Sequence, residues 1–223
     1  MPRMRSLLVC LALAGCAQAT STPENTDVDA TVRRDSTSGA DSTPSDSSTG
    51  CTTMTKNMLR NGTFEGTPAG VDWNATPIDN TLPIVTNQAG GVAAQSPAYR
   101  AWMGGLEQSA TTNKDVLYQD ITLPPMTTKL EFKGFYDVRT GEIGSNIYDR
   151  ATIELTTATN TQLELIKALD DNGATTAWTP FNKLFTGSYS GMTVRLRLST
   201  ASDSIDPTSF FFDTFELNAT FCQ

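Results

Sequence analysis

The feature that most constrains this chain is an apolar period of two. In "MTVRLRLST", Met192, Val194, Leu196 and Leu198 fall on one side of an extended chain, and Thr193, Arg195 and Arg197 on the other. "VLYQDITLP" groups Leu117, Ile121 and Leu123, with Gln119 among them. "KLEFKGFYDV" sets Leu130, Phe132, Tyr136 and Val138 against Glu131, Lys133 and Asp137. "ATIELTTA" and "TQLELIKAL" repeat the pattern with Ile153/Leu155 and Leu163/Leu165. Such alternation builds antiparallel strands with one buried face. Turn clusters separate the runs: "RNGTFEGTPAG", "NQAGG", "LPPMTT", "RTGEIGSN", "DDNGATT" and "TGSYSG". No sustained helical period competes. The expected fold is all-β, a β-sandwich of two antiparallel sheets formed by one domain over residues 51–223.

The first 50 residues have a different character. Arg3 and Arg5 precede the short apolar run "LLVCLALAG", too short to span a bilayer and suited to an export signal over residues 1–15. The run ends in "LAGC", which resembles the lipobox of bacterial lipoproteins, in which the signal is cut before the cysteine and that cysteine, here Cys16, carries the lipid. Ordinary signal cleavage after the following "AQA" is the alternative. Ala17 stands where an Asp would retain an enteric lipoprotein at the inner membrane, so the resemblance implies the outer membrane or cell surface, with membrane contact through the lipid alone. From Ala17 to Gly50, 14 of 34 residues are Ser or Thr and none is aromatic. Such a segment buries too little apolar surface to offset its chain entropy. Residues 16–50 are therefore expected to be a disordered tether, with a span of roughly 30 Å.

Cys10 leaves with the signal and Cys16 takes the lipid, so Cys51 and Cys222 remain. In an oxidising compartment an even pair normally closes. A Cys51–Cys222 bridge would make the first and last strands neighbours.

Charge and composition narrow the function. The 223-residue chain has 16 basic and 24 acidic residues, a net charge of −8, which disfavours nucleic acid as a partner. It contains no histidine, which removes Ser-His-Asp and Cys-His nucleophiles and His-containing zinc sites. No carboxylate pair stands out as a glycosidase acid and base, so a non-catalytic protein is expected.

One carboxylate demands an explanation. Asp213 lies inside "SFFFDTFEL", sharing parity with Phe211, Phe215 and Leu217, and an unpaired charge in apolar surroundings costs several kcal/mol. If that face packs inward, Asp213 points into the sandwich or its rim.

In order along the chain, "NMLRNGTFEG", "DWN", "YRAWMGGLEQ", "VLYQDITLPP", "KLEFKGFYDV", "IYDRATIEL", "YSGMTVRLRL" and "FFFDTFEL" resemble the bacterial jelly-roll modules known as carbohydrate-binding modules and galactose-binding-like domains. The resemblance covers nearly all of residues 57–217. It implies a jelly roll with a structural calcium ion held by Glu65, the Glu of the N-terminal "FE", and by Asp213 of the final strand. Thr214 stands where the family often has a second acid. The resemblance also implies a monomer that binds a glycan or cell-surface polysaccharide. Aromatic faces suit the C–H surface of a pyranose, and neighbouring polar groups suit its hydroxyls. Two groups carry both features: Tyr99, Arg100 and Trp102 in "YRAWMGG", and Tyr136, Asp137 and Arg139. Trp178 and Tyr189 look like structural plugs. The alternatives are a structural or adhesion lipoprotein binding protein partners, and an accessory subunit of a secreted hydrolase.

Overall fold

The alternating runs pair as two antiparallel sheets in a computed structural model, which describes residues 50–106, 114–203 and 205–223. The signal segment expected over residues 1–15, the lipidation expected at Cys16 and the expected tether up to residue 49 lie outside the described residues.

Eleven strands are present among the described residues: β1 (Thr53–Asn57), β2 (Asn74–Thr76), β3 (Val85–Thr86), β4 (Arg100–Gly104), β5 (Val116–Thr122), β6 (Thr127–Thr140), β7 (Arg150–Thr156), β8 (Gln162–Asp170), β9 (Thr179–Leu184), β10 (Thr193–Ala201) and β11 (Thr208–Cys222). One sheet runs β3-β4-β11-β6-β9, with β1 also on β11, and the other runs β2-β5-β10-β7-β8. A 3-10 turn, Asp171–Gly173, follows β8. The jelly-roll expectation holds.

The period of two does the packing. Val194, Leu196 and Leu198 of β10 are fully buried, together with Leu117 and Ile121 of β5 and Ile153 and Leu155 of β7. On the outer side of β10, Arg195 forms a bidentate pair with Asp120 (2.7 and 3.0 Å) and stacks 3.8 Å over the Tyr118 ring. Gln119 keeps its buried parity because its amide is satisfied: it accepts from the Arg60 N–H and donates to the carbonyls of Arg60 and Asp72. The β7–β8 ladder departs from simple alternation. A register shift there turns Leu165 outward and buries Ile166 and Leu169 instead.

The termini lie side by side. β1 pairs with the C-terminal half of β11 from Asn57↔Asn218 to Thr53↔Cys222, and a disulfide joins Cys51 to Cys222 across a Cα separation of 5.4 Å. β4 pairs with the other end of the same β11 edge, Ser209 to Phe212. Between β4 and β1 the stretch Asp213–Leu217 of that edge pairs with no strand, and two loops enter the gap.

The gap coincides with a bulge. Asp213 faces Phe135 of β6, and the next aligned pair is Glu216 with Lys133, so β11 carries one extra residue there. Thr214 adopts φ +53, a left-handed conformation that a β-branched residue rarely takes. The bulge overturns the parity expected from sequence. Phe210 and Phe212 point into the core before it, Phe215 and Leu217 after it, and all four are buried in the same cluster. Phe211 and Asp213 point the other way, to the outer face of the six-stranded sheet.

Candidate functional site

That outer face is half roofed. The segment from residue 87 to 98 lies across β4 and β11. Gly91, at φ +65, sits so close over the Phe211 ring that any Cβ would collide with it. Phe211 packs against Trp102 at 5.2 Å between ring centroids, and the Arg100 guanidinium lies over both rings at 5.3 and 5.6 Å. Arg100 is nearly inaccessible and donates to the carbonyls of Gln88 and Gly90, which ties the roof down. Burial draws its pKa below the ordinary arginine value, and the charge of Asp213 works against that shift.

At the roof's end the Asp213 carboxylate is held by backbone donors. Its Oδ2 accepts the N–H groups of Gln95 and Ser96, both at 2.8 Å, and its Oδ1 that of Thr214 at 2.6 Å. Burial nevertheless pushes its pKa above the usual carboxylate range, against the pull of these donors. Glu65 arrives from the N-terminal loop. Phe64 anchors that loop in the core against Trp73 and Phe215, and the Phe215 N–H bonds the Gly62 carbonyl. The Asn61 side chain closes the same loop through the Val71 carbonyl and the Gly66 N–H. Burial works to raise the Glu65 pKa, but N–H groups of Tyr99 and Ala98 and the Ser96 hydroxyl overrule it, and the net shift is downward.

Ser96 joins the two acids. Its Oγ lies 3.0 Å from Glu65 Oε1, 2.9 and 3.0 Å from the two Asp213 oxygens, 3.0 Å from the Thr63 carbonyl and 3.2 Å from that of Tyr99. A hydroxyl has one proton to give. Four of the five contacts are therefore oxygen against oxygen, an arrangement that favours a positive ion. All the donors are oxygens and two carry charge, the chemistry that calcium prefers. Among the described residues no three acidic side chains converge on one point, so the carbonyls and the hydroxyl would complete such a shell. Thr214, in the place of a second acid, turns its hydroxyl to the Gln95 side chain instead.

Beyond the roof the face opens into a groove of about 450 Å³. Paired residues of β9, β6 and β11 form its floor: Pro180 with Phe135, then Asn182, Lys133 and Glu216, while Asp213, the β11 partner of Phe135, is buried beneath the roof. Phe135 is half-buried and lines the groove, and Thr214 forms part of the wall. Phe135 was the missed residue. In "KLEFKGFYDV" it occupies the parity of Glu131, Lys133 and Asp137, and an aromatic among charges is the signal that could have found it.

The six residues singled out from sequence do not form one site. Asp137 is fully buried on the outer face and held by Arg139 in a bidentate pair at 2.6 and 3.0 Å. Tyr136 points to the opposite face, packed edge-on against Phe181 and capped by Lys167. Tyr99 packs against the core and serves the Ser96 centre through its backbone. Trp102 donates to Ser209 Oγ and lines a separate pocket of about 130 Å³ with Leu82, Pro83 and Ile84. Tyr189 is a plug beneath Phe185, and Trp178 clips the roof through the Ala93 carbonyl.

No family model matches the sequence, and no curated protein sequence does. Solved structures do match. TmCBM61 in complex with β-1,4-galactotriose aligns over 73% of this chain and 97% of its own, at 16% identity and a TM-score of 0.50. In fold, this chain resembles a jelly-roll carbohydrate-binding module. A family 16 carbohydrate-binding module (19% identity, TM-score 0.43, 72% of this chain and 99% of its own) also aligns. So does the K3 cleaved adhesin domain of Lys-gingipain from Porphyromonas gingivalis (11%, 0.45, 75% and 99%).

Proposed function

We propose that this protein is a non-catalytic carbohydrate-binding module, held at the bacterial outer membrane or cell surface by a lipid on Cys16 and lifted from it by the tether. The observation that carries the reading is Phe135, an aromatic face on the floor of an open groove, flanked by the Asn182 amide, the Lys133 ammonium and the Glu216 carboxylate. A sugar ring stacked on Phe135 would place its hydroxyls among donors and acceptors of both kinds. A calcium ion at Glu65, Ser96 and Asp213 would hold the Gln95–Ser96 segment, which borders the groove through Thr214. The ion's part is to set the wall; contact with the sugar belongs to the side chains.

Affinity electrophoresis through gels containing a panel of polysaccharides, β-1,4-galactan and xylan among them, tests this. Retardation by at least one polymer is expected. Phe135→Ala should weaken it about tenfold, equivalent to ~1.4 kcal/mol, with the fold retained by circular dichroism. No retardation across the panel, or an unchanged Phe135→Ala variant, overturns the assignment.

A further inference from the structure

Where β6, β8 and β10 end, three connections bring five carboxylates together. Glu142 and Asp149 lie between β6 and β7, Asp171 in the 3-10 turn, and Asp203 and Asp206 between β10 and β11. Asp149 organises them. Its Oδ1 accepts the Asp203 N–H and its Oδ2 the Thr208 N–H, both at 2.9 Å. Asp171 Oδ2 accepts the Tyr148 N–H at 2.8 Å, and the Asp171 N–H reaches the Asp149 carbonyl at 3.3 Å. The Gly141 N–H bonds the Pro207 carbonyl, bringing the first connection against the third.

Three oxygens of this end are buried and unpartnered: Asp171 Oδ1, Glu142 Oε1 and Ser202 Oγ. Asp171 is only 3% exposed and Ser202 8%. None of the ion pairs among the described residues involves any of the five acids. Burial and then the charges of Asp203, Asp149, Asp206 and Asp171 raise the Glu142 pKa, which shows how closely the acids crowd. Buried carboxylate oxygens normally find donors. Here the sequence supplies more negative charge instead, which a cation from outside the chain would compensate.

We propose that this loop end binds a divalent cation of the calcium class through the free oxygens of Asp171, Glu142 and Ser202, with Asp203 and Asp206 balancing its charge. The donors are all hard oxygens, which excludes thiophilic metals, and they come from three irregular loops, which suits the flexible shell of calcium better than the strict octahedron of magnesium. Among the described residues no three acids stand at direct coordinating distance of one point, so water molecules bridge some carboxylates to the ion, as calcium shells allow. No residue is shared with the Ser96 centre.

The test uses the full chain carrying Glu65→Gln, which silences that other centre. Melting temperature is read in chelator and in millimolar calcium, and bound calcium is counted by equilibrium dialysis. The Glu65→Gln parent should bind one calcium and melt several degrees higher with it. Adding Glu142→Gln, at a half-exposed position, should abolish both and, because it removes a repelling charge, raise the melting temperature in chelator. Asp171→Asn should behave alike. The opposite signs in the two buffers separate ion binding from a merely structural role. A parent that binds no calcium, or Glu142→Gln retaining the full stoichiometry and shift, overturns the proposal.

Discussion

The Ser96 centre allows calcium stabilisation to be worked out in advance. Glu65 Oε1 and the nearest Asp213 oxygen lie 3.0 and 2.9 Å from the same hydroxyl, so they are at most 5.9 Å apart. At an effective dielectric constant of about 20 two such charges repel by roughly 3 kcal/mol, which is the reservoir a cation draws on. Calcium sites of extracellular modules have dissociation constants of about 10⁻⁴–10⁻³ M. At ~10 mM calcium the folded state gains ~1.4–2.7 kcal/mol by mass action. For a domain of this size that is a rise of about 3–11 °C in melting temperature. The assay is differential scanning calorimetry on the Glu142→Gln variant, in which the loop-end cluster is silenced, with sodium chloride matching the ionic strength. Sodium should reproduce little of the effect, because the two acids are closer together than the Debye length of about 10 Å and one of them is buried. Glu65→Gln in the same background should remove the calcium shift. No rise with calcium, or an equal rise after Glu65→Gln, would refute the reasoning.

Two further outcomes follow from particular bonds. Glu164 Oε1 accepts the N–H groups of Thr186 and Gly187 and the Tyr189 hydroxyl, and its Oε2 faces Lys183 at 3.3 Å. Burial opposes ionisation, yet these donors prevail and bring the pKa from 4.5 down to about 2. A depressed folded-state pKa means stability that is present above pH 4.5 and lost as pH falls toward 2. Discounted for solvent screening it is about 1–2 kcal/mol, so urea unfolding should show Glu164→Gln less stable by that amount at pH 7 and the gap closing at the acid end. The Cys51–Cys222 bridge closes a sequence separation of 171. Cys51→Ser with Cys222→Ser should cost up to about 5 kcal/mol in the same assay, and a thiol titration of the unreduced wild-type domain should find neither cysteine free.

The sandwich was legible because its signals are local. A period of two in "MTVRLRLST" and glycine-rich turns need no knowledge of distant residues, and the expected Cys51–Cys222 bridge placed β1 beside β11. The convergence of Glu65 and Asp213 was legible from the jelly-roll resemblance and from the terminal strands being neighbours. What escaped was set by tertiary contacts. Ser96 and Gln95, which hold Asp213, lie in the bland stretch "AAQSPA" and belong to no motif. Arg100 and Asp137 read as ligand-binding groups because polarity beside an aromatic suggests exposure, yet the segment from residue 87 to 98 covers one and Arg139 neutralises the other. No local pattern says what will lie over a sheet face. Leu165 misled by parity, since the β7–β8 register shift is invisible until the partner strand is present.

The bulge at Thr214 explains why an acid belongs among the phenylalanines. Unbroken alternation would send Phe211, Asp213, Phe215 and Leu217 to one side, and a sandwich interior offers that carboxylate no donors. One inserted residue separates the requirements: Phe215 joins Phe64, Trp73 and Phe132 inside, while Asp213 stays outside with the loop donors. The left-handed Thr214 is strained, and part of that cost is offset because its N–H reaches the Asp213 carboxylate beside it. The unpaired β11 edge then becomes useful, since the Phe215 N–H takes the Gly62 carbonyl and so draws Glu65 to the same place. On the other edge of β11 the pairs flanking the bulge, Asp213 with Phe135 and Glu216 with Lys133, set the register of Phe135, Lys133 and Glu216 in the groove. A displacement of Asp213 would therefore move the strand against which Phe135 is registered. The Ser96 centre and the groove are two sides of one irregularity in one strand, and a change that straightened the bulge would remove both together.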